Sequence, residues 1–227
     1  MANPGGARSK SAGGAAVVEP IPLLATDDAA LARAITQGHP GAARVVWTRF
    51  SPLVRGLLVR TLGPGDVEDH LQESLLRLFR HVGELRDPSA LTQFVIGITL
   101  RVARSELRRR RYRRWLRLTP AGVLPEAGQP ARDFAAREAL TALYAILDRI
   151  DDDARIVFVM RYVQGEDLAT ISGCLGCSLA TTKRRLASAS KRIVALSRAQ
   201  PALAPYVQEG GLAKIVRPVS AEEDGHG

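Results

Sequence analysis

Aromatic residues are scarce in this chain, at 5% of its 227 residues. A β-sandwich core draws heavily on rings and β-branched side chains, so this scarcity points away from that class. The apolar content is 46% and is carried mostly by Leu, Ala, Val and Ile, a mix that favours helices. It is enough to form a core and excludes wholesale disorder. Lysine is nearly absent, found only at Lys10, Lys183, Lys191 and Lys214. The net charge of +9 is therefore an arginine charge. A guanidinium stays protonated and grips phosphate through two hydrogen bonds. Such a surface suits nucleic acid, an anionic membrane or an acidic protein.

Cysteine is equally sparse, limited to Cys174 and Cys177. A lone Cys-x-x-Cys with no second pair, and with His39, His70, His81 and His226 distant in sequence, is weak evidence for zinc or redox chemistry. Cys174 reads as a small core residue and Cys177 as a turn residue. No apolar run reaches about 18 residues, the longest being Phe94 to Leu100, so no membrane span is expected. Residues 1–16 show no secretory h-region, and a reducing cytoplasm is the expected compartment. No Walker loop, nucleophile elbow or Ser-His-Asp set is visible, so no cofactor, small-molecule substrate or catalytic residue is expected.

The chain reads as all-α, with two small helical domains joined by a flexible linker. Residues 1–26 lack periodicity and are expected to form a disordered arm. The first domain covers 27–118. Asp27 or Asp28 can cap a helix ending near Gln37. A second helix spans 42–62, with Pro52 as a possible kink. A third, 66–82, aligns Val67, Leu71, Leu75 and Leu78 on one stripe. A long helix over 89–118 begins apolar and ends basic. Gly122, Pro125, Gly128 and Pro130 mark a linker over 119–130. The second domain, 131–200, has helical patterning over 131–150, 153–163, 168–174 and 179–198. Asp151 or Asp152 caps the second of these. Residues 201–227 form a tail.

Residues 167–186, DLATISGCLGCSLATTKRRL, have the pattern of a helix-turn-helix. Asp167 can cap the first helix and Ser178 the second, and Gly176 supplies a left-handed turn residue. Ile171, Leu175, Leu179 and Leu186 are expected to close the core. Ser178, Thr181, Thr182, Lys183, Arg184, Arg185 and Ser188 then belong to a second helix suited to the major groove. The blander alternative is an ordinary helical hairpin with a solvated basic face.

Two further segments stand out. Arg101, Arg104, Arg108, Arg109, Tyr112 and Trp115 belong to a stretch, 101–117, in which Glu106 is the only acid. Guanidinium groups neutralise phosphate and rings stack on exposed bases. With so little acid nearby, self-neutralisation is expected to be weak. On the third helix Asp69, Gln72, Glu73, Leu76 and Arg80 lie opposite the apolar stripe, as a docking face for a basic protein partner would. A metal site there lacks a histidine or a second acidic cluster.

Residues 66–80, DVEDHLQESLLRLFR, resemble the polymerase-binding helix of extracytoplasmic-function sigma factors. Residues 94–111 resemble the helix that follows in that family, and 165–190 resemble its −35 helix-turn-helix. The resemblance covers roughly 27–199. It implies that Asp69, Gln72, Glu73, Leu76 and Arg80 contact the β′ clamp helices of core RNA polymerase. It implies that the arginine-rich helix and the 83–90 loop capture the non-template strand of the −10 element, and that an anti-sigma factor is a partner. The chain departs from the family's common pattern at Leu100-Arg101, Ser105, Thr170, Ala187 and Ser188, so promoter preference does not transfer. Three rival readings remain. One is a stand-alone helix-turn-helix regulator. Another is a metal-dependent nuclease using Asp66, Glu68, Asp69 and Glu73. The third is an RNA-binding protein.

Overall fold

The computed structural model describes residues 27–63, 65, 67–117 and 134–203. The expected arm, the linker and most of the tail lie outside the described residues. All regular structure described is helical. Helices α1 (Asp28–Thr36), α2 (Ala42–Leu62), α3 (Glu68–His81) and α4 (Leu91–Arg117) form the first bundle. Helices α5 (Phe134–Leu147), α6 (Asp152–Tyr162), α7 (Leu168–Leu175) and α8 (Leu179–Ser197) form the second.

Local chemistry explains the helix starts. Asp27, not Asp28, caps α1 by accepting from the Ala29 amide at 2.9 Å. That leaves Asp28 free to accept from the Thr92 amide at 2.7 Å and to pair with Arg49, so one carboxylate ties α1 to α2 and α4. Asp151 caps α6 through the amides of Asp153 and Ala154. Helix α2 runs unbroken through Pro52, whose missing N–H falls on an exposed face. Pro52 is therefore solvated and does not split the helix.

The expected core stripes are buried. Val67, Leu71, Leu75 and Leu78 pack inward from α3, against Val46, Phe50, Val54 and Leu58 of α2 and Leu91 and Val95 of α4. Helix α6 behaves differently. Ala154 and every residue from Ile156 to Met160 are buried, as is Arg155. Ile156, Val157 and Met160, with Ile171 and Cys174 of α7, join the core of the first bundle. Ala154, Phe158 and Val159 join that of the second, with Leu143, Tyr144, Leu147 and Ile193. A helix that is apolar all round belongs between two layers, and α6 is that shared wall. Leu203, in a short 3₁₀ turn over Pro201–Leu203, is fully buried in the second core, so this part of the expected tail is structural.

The bundles meet directly. Two glycines permit the approach. A Cβ at Gly97 would lie 3.1 Å from the Cys174 carbonyl, and one at Gly63, where φ is +93°, would lie 3.2 Å from the Tyr144 ring. The Tyr144 hydroxyl donates to the Val59 or Arg60 carbonyl, each at 3.2 Å. Arg155, 2% exposed, donates to the Thr61 carbonyl at 2.7 Å and pairs with Asp148 at 2.5 Å. Burial lowers the pKa of Arg155, and Asp148 opposes that shift.

Candidate nucleic-acid interface

The helix-turn-helix forms from the residues that its sequence pattern singles out. Asp167 caps α7, accepting from the amide and the hydroxyl of Thr170 at 2.8 Å each. Those hydrogen bonds hold its carboxyl below the ordinary aspartate value. Gly176 adopts φ +62°, ψ +37°, and the amides of Gly176 and Cys177 return to the carbonyls of Gly173 and Ser172. This left-handed closure turns the chain at little steric cost only because Gly176 has no Cβ. The Ser178 hydroxyl accepts from the Thr181 amide at 3.2 Å and starts α8.

The side chains of α8 are not equivalent. Ser178, Lys183, Arg184 and Ser188 are exposed and Thr181 is half-buried. Thr182 is fully buried, donating to the Ser178 carbonyl at 3.3 Å, so its hydroxyl is structural in this arrangement. Arg185 is held 2.5 Å from Asp153 of α6. Leu179, expected in the core, is 42% exposed. Placed at the first helical position, it points out beside the cap while Ile171 fills the core. Cys174 is buried and Cys177 half-buried, both as free thiols. Burial pushes the Cys174 thiol up to about 11, which keeps it neutral.

On α4, Arg101, Arg108 and Arg109 are exposed. Tyr112 and Trp115 stand out from the surface, 60% and 73% exposed, with ring centroids 6.1 Å apart. The expectation of weak self-neutralisation is wrong for the rest of the run. Glu106 is buried and takes Arg110 and Arg113 at 2.9 and 2.8 Å, with Arg109 farther off at 3.9 Å. Chain folding also brings in acids remote in sequence. Arg111 donates to Asp152 at 2.7 Å and to the Ile150 carbonyl, and Arg114 pairs with Asp148 at 3.0 Å. Arg104 Nε lies 2.6 Å from Asp153 Oδ1. Neither of those two buried atoms has a hydrogen-bond partner, so the contact is an ion pair without hydrogen-bond directionality. Periodicity gave no sign of Asp148, Asp152 or Asp153 as partners.

Helix α3 carries a third surface. Asp69, Gln72, Leu76, Phe79 and Arg80 are exposed, Leu76 by half. Glu73 is bridged to Arg77 at 2.6 Å, and that hydrogen bond lowers its pKa. Phe79 extends the apolar strip beyond the residues named from sequence. Among the described residues no group of three or more His, Cys, Asp or Glu side chains is arranged to hold a metal ion. Asp66 lies outside them. No described helix is long and apolar enough to cross a membrane.

Residues 46–113 match the family model of sigma-70 region 2, and residues 140–193 match that of sigma-70 region 4. The chain belongs to the sigma-70 family. This sigma factor is 22% identical over 175 residues to the ECF RNA polymerase sigma-E factor of Salmonella typhimurium strain LT2, covering 73% of the chain and 92% of that relative. It is 21% identical to the Escherichia coli K12 protein of the same description, with the same coverage. Its fold resembles CnrH, solved in complex with the cytosolic domain of CnrY, with a TM-score of 0.54 and 20% identity over 76% of this chain and 98% of that one. It also resembles RpoE of Bartonella quintana, solved with the anti-sigma factor NepR, with a TM-score of 0.50 and 18% identity over 68% of this chain and 95% of that one. The chain is an RNA polymerase sigma factor of the extracytoplasmic-function type.

Proposed function

We propose that this sigma factor directs core polymerase to its promoters as a non-catalytic, cytoplasmic specificity subunit, with its work divided among three surfaces. The observation that carries this reading is one chain bearing both a capped helix-turn-helix with a basic outer face and an exposed acidic and apolar strip on α3. Asp69, Gln72, Glu73, Leu76 and Arg80 dock on the β′ clamp helices, where charge complementarity guides approach and Leu76, with Phe79, supplies apolar contact. Lys183, Arg184, Ser178 and Ser188 face the −35 duplex.

Arg101, Arg104, Arg108 and Arg109 neutralise phosphates beside the −10 element, and Tyr112 and Trp115 offer stacking surfaces to unpaired bases. Unpairing costs a few kcal/mol, and stacking of about 1–3 kcal/mol per base offsets it once polymerase holds the strands. Two fold relatives were solved with a bound partner, the cytosolic domain of CnrY in one and the anti-sigma factor NepR in the other, and the second supports an anti-sigma partner here.

Run-off transcription from a genomic fragment library with core polymerase tests the proposal. Chain-dependent transcripts that begin at a shared promoter motif are expected. Their absence, with core polymerase active on a control sigma factor, overturns the reading.

A further inference from the structure

We propose that the cleft where α4 passes the start of α6 binds a free mononucleotide, a ligand distinct from the promoter strands. This role adds to the promoter-reading roles proposed above and does not depend on them. The cleft has a volume of about 420 Å³, with Arg108, Tyr112 and Trp115 lining it from α4 and Asp151, Asp152 and Asp153 from the start of α6. Small-ligand clefts run from about 300 to 1,000 Å³, so one nucleotide fits.

The groups left free in the cleft match the parts of a nucleotide. The Tyr112 and Trp115 rings are both exposed, and their planes are tilted by 31°. A base stacked on Trp115 meets Tyr112 at its side, and every base has a face that can stack in this way. Arg108 acts on Asp152 only through space and pairs with no described acid, so its guanidinium is free to grip a phosphate. Asp151 caps α6 with one carboxylate oxygen, which accepts from the Asp153 and Ala154 amides at 3.0 and 3.2 Å. Its other oxygen makes no hydrogen bond among the described residues and can accept from the N–H edge of a base. The charges of Asp152 and Asp153 are already matched, the first by Arg111 and the second by Arg104 and Arg185. The phosphate end therefore belongs at Arg108 and the donors of the base at Asp151. The three acids close one end of the cleft, which suits a single nucleotide better than a strand that must pass through. A bound nucleotide covers Arg108, Tyr112 and Trp115, so it and an unpaired promoter strand exclude one another there.

The test titrates the full-length free protein with ATP, GTP, inorganic triphosphate and a short oligothymidylate, reading heat and tryptophan emission. Trp47 and Trp115 are the two tryptophans of the chain, so Trp47→Phe leaves Trp115 as the reporter. ATP and GTP are expected to quench Trp115 saturably and to bind about tenfold tighter than inorganic triphosphate, which has no base to stack. Arg108→Gln is expected to weaken both nucleotides about tenfold. Arg33→Gln removes an exposed charge from α1 and should leave them near wild type. The inference falls where neither nucleotide quenches saturably or where inorganic triphosphate binds as tightly as they do. It falls where Arg33→Gln weakens them as much as Arg108→Gln, since general charge attraction then accounts for the binding. It falls too where only the oligothymidylate quenches Trp115, since the cleft then serves strand DNA alone. Where Trp47→Phe loses helical content, calorimetry of the Arg108 and Arg33 variants with Trp47 in place decides. The titration uses neither polymerase nor promoter, so its failure and failure of the promoter reading register separately.

Discussion

Helices α3 and α6 have similar charge patterns. Both carry two acids in the first turn, Glu68 and Asp69 in one and Asp152 and Asp153 in the other, and both have a basic residue in the last turn. Their settings differ. Helix α3 buries one stripe and leaves Asp69, Gln72 and Leu76 in solvent. Helix α6 is covered on both sides, and its acids are taken up by arginines from α4 and α8. Similar patterns thus give an outward docking face in one helix and an internal tie in the other. What decides is whether the opposite face is polar, as in α3, or apolar, as in α6.

The sharpest way to break this comparison is to remove the buried charge of α6. Arg155→Ala leaves the Thr61 carbonyl without its donor and Asp148 with Arg114 alone, and is expected to cost about 3 kcal/mol in urea unfolding. A loss within about 0.5 kcal/mol, as for surface sites, would mean that α6 is not the shared wall. Neighbouring leucines on α3 sharpen the other half. Leu75→Ala empties a buried position and should cost about 3 kcal/mol. Leu76→Ala should leave stability within about 0.5 kcal/mol and weaken the core-polymerase complex about tenfold, as loss of an exposed apolar anchor does. Equal stability losses at the two positions would refute a one-sided α3.

Smaller effects fall on the caps of the helix-turn-helix. Ser178→Ala is expected to cost about 1 kcal/mol and to fray the start of α8, raising amide exchange at Thr181. The Asp167 cap gives a pH effect of defined sign. Its carboxyl is held below the ordinary value, so its stabilisation is present above that value and is lost as pH falls through the depressed one. Protection of the Thr170 amide, relative to the intrinsic exchange rate at each pH, should therefore fall selectively on acidification, and Asp167→Asn should flatten the profile. A profile that stays unchanged in the variant would assign the acid response to another group.

The elements and their ends were legible where the signal was local. The α3 stripe, the turn glycine Gly176, and the caps Asp167 and Ser178 each depend on residues within about one turn of one another, so spacing was enough to find them. The acidic partners at and just before the start of α6 were not legible. Asp148, Asp152 and Asp153 lie more than 30 residues from Arg111 and Arg114 in the chain, and periodicity carries no information at that distance. Thr182 and Leu179 were misplaced for a related reason. A helical wheel shows which residues share a face, and only packing against α7 shows which face is inside.

The sequence by itself determined an all-helical chain, a helix-turn-helix capped by Asp167 and Ser178, an exposed face on α3, and an arginine-rich end on α4, because each arises from short-range spacing and composition. Only the tertiary structure decided which arginines are open to DNA and which are already paired. Ion pairing acts over a few ångströms in space, and folding alone brought the acids of α6 within that distance of α4 and α8.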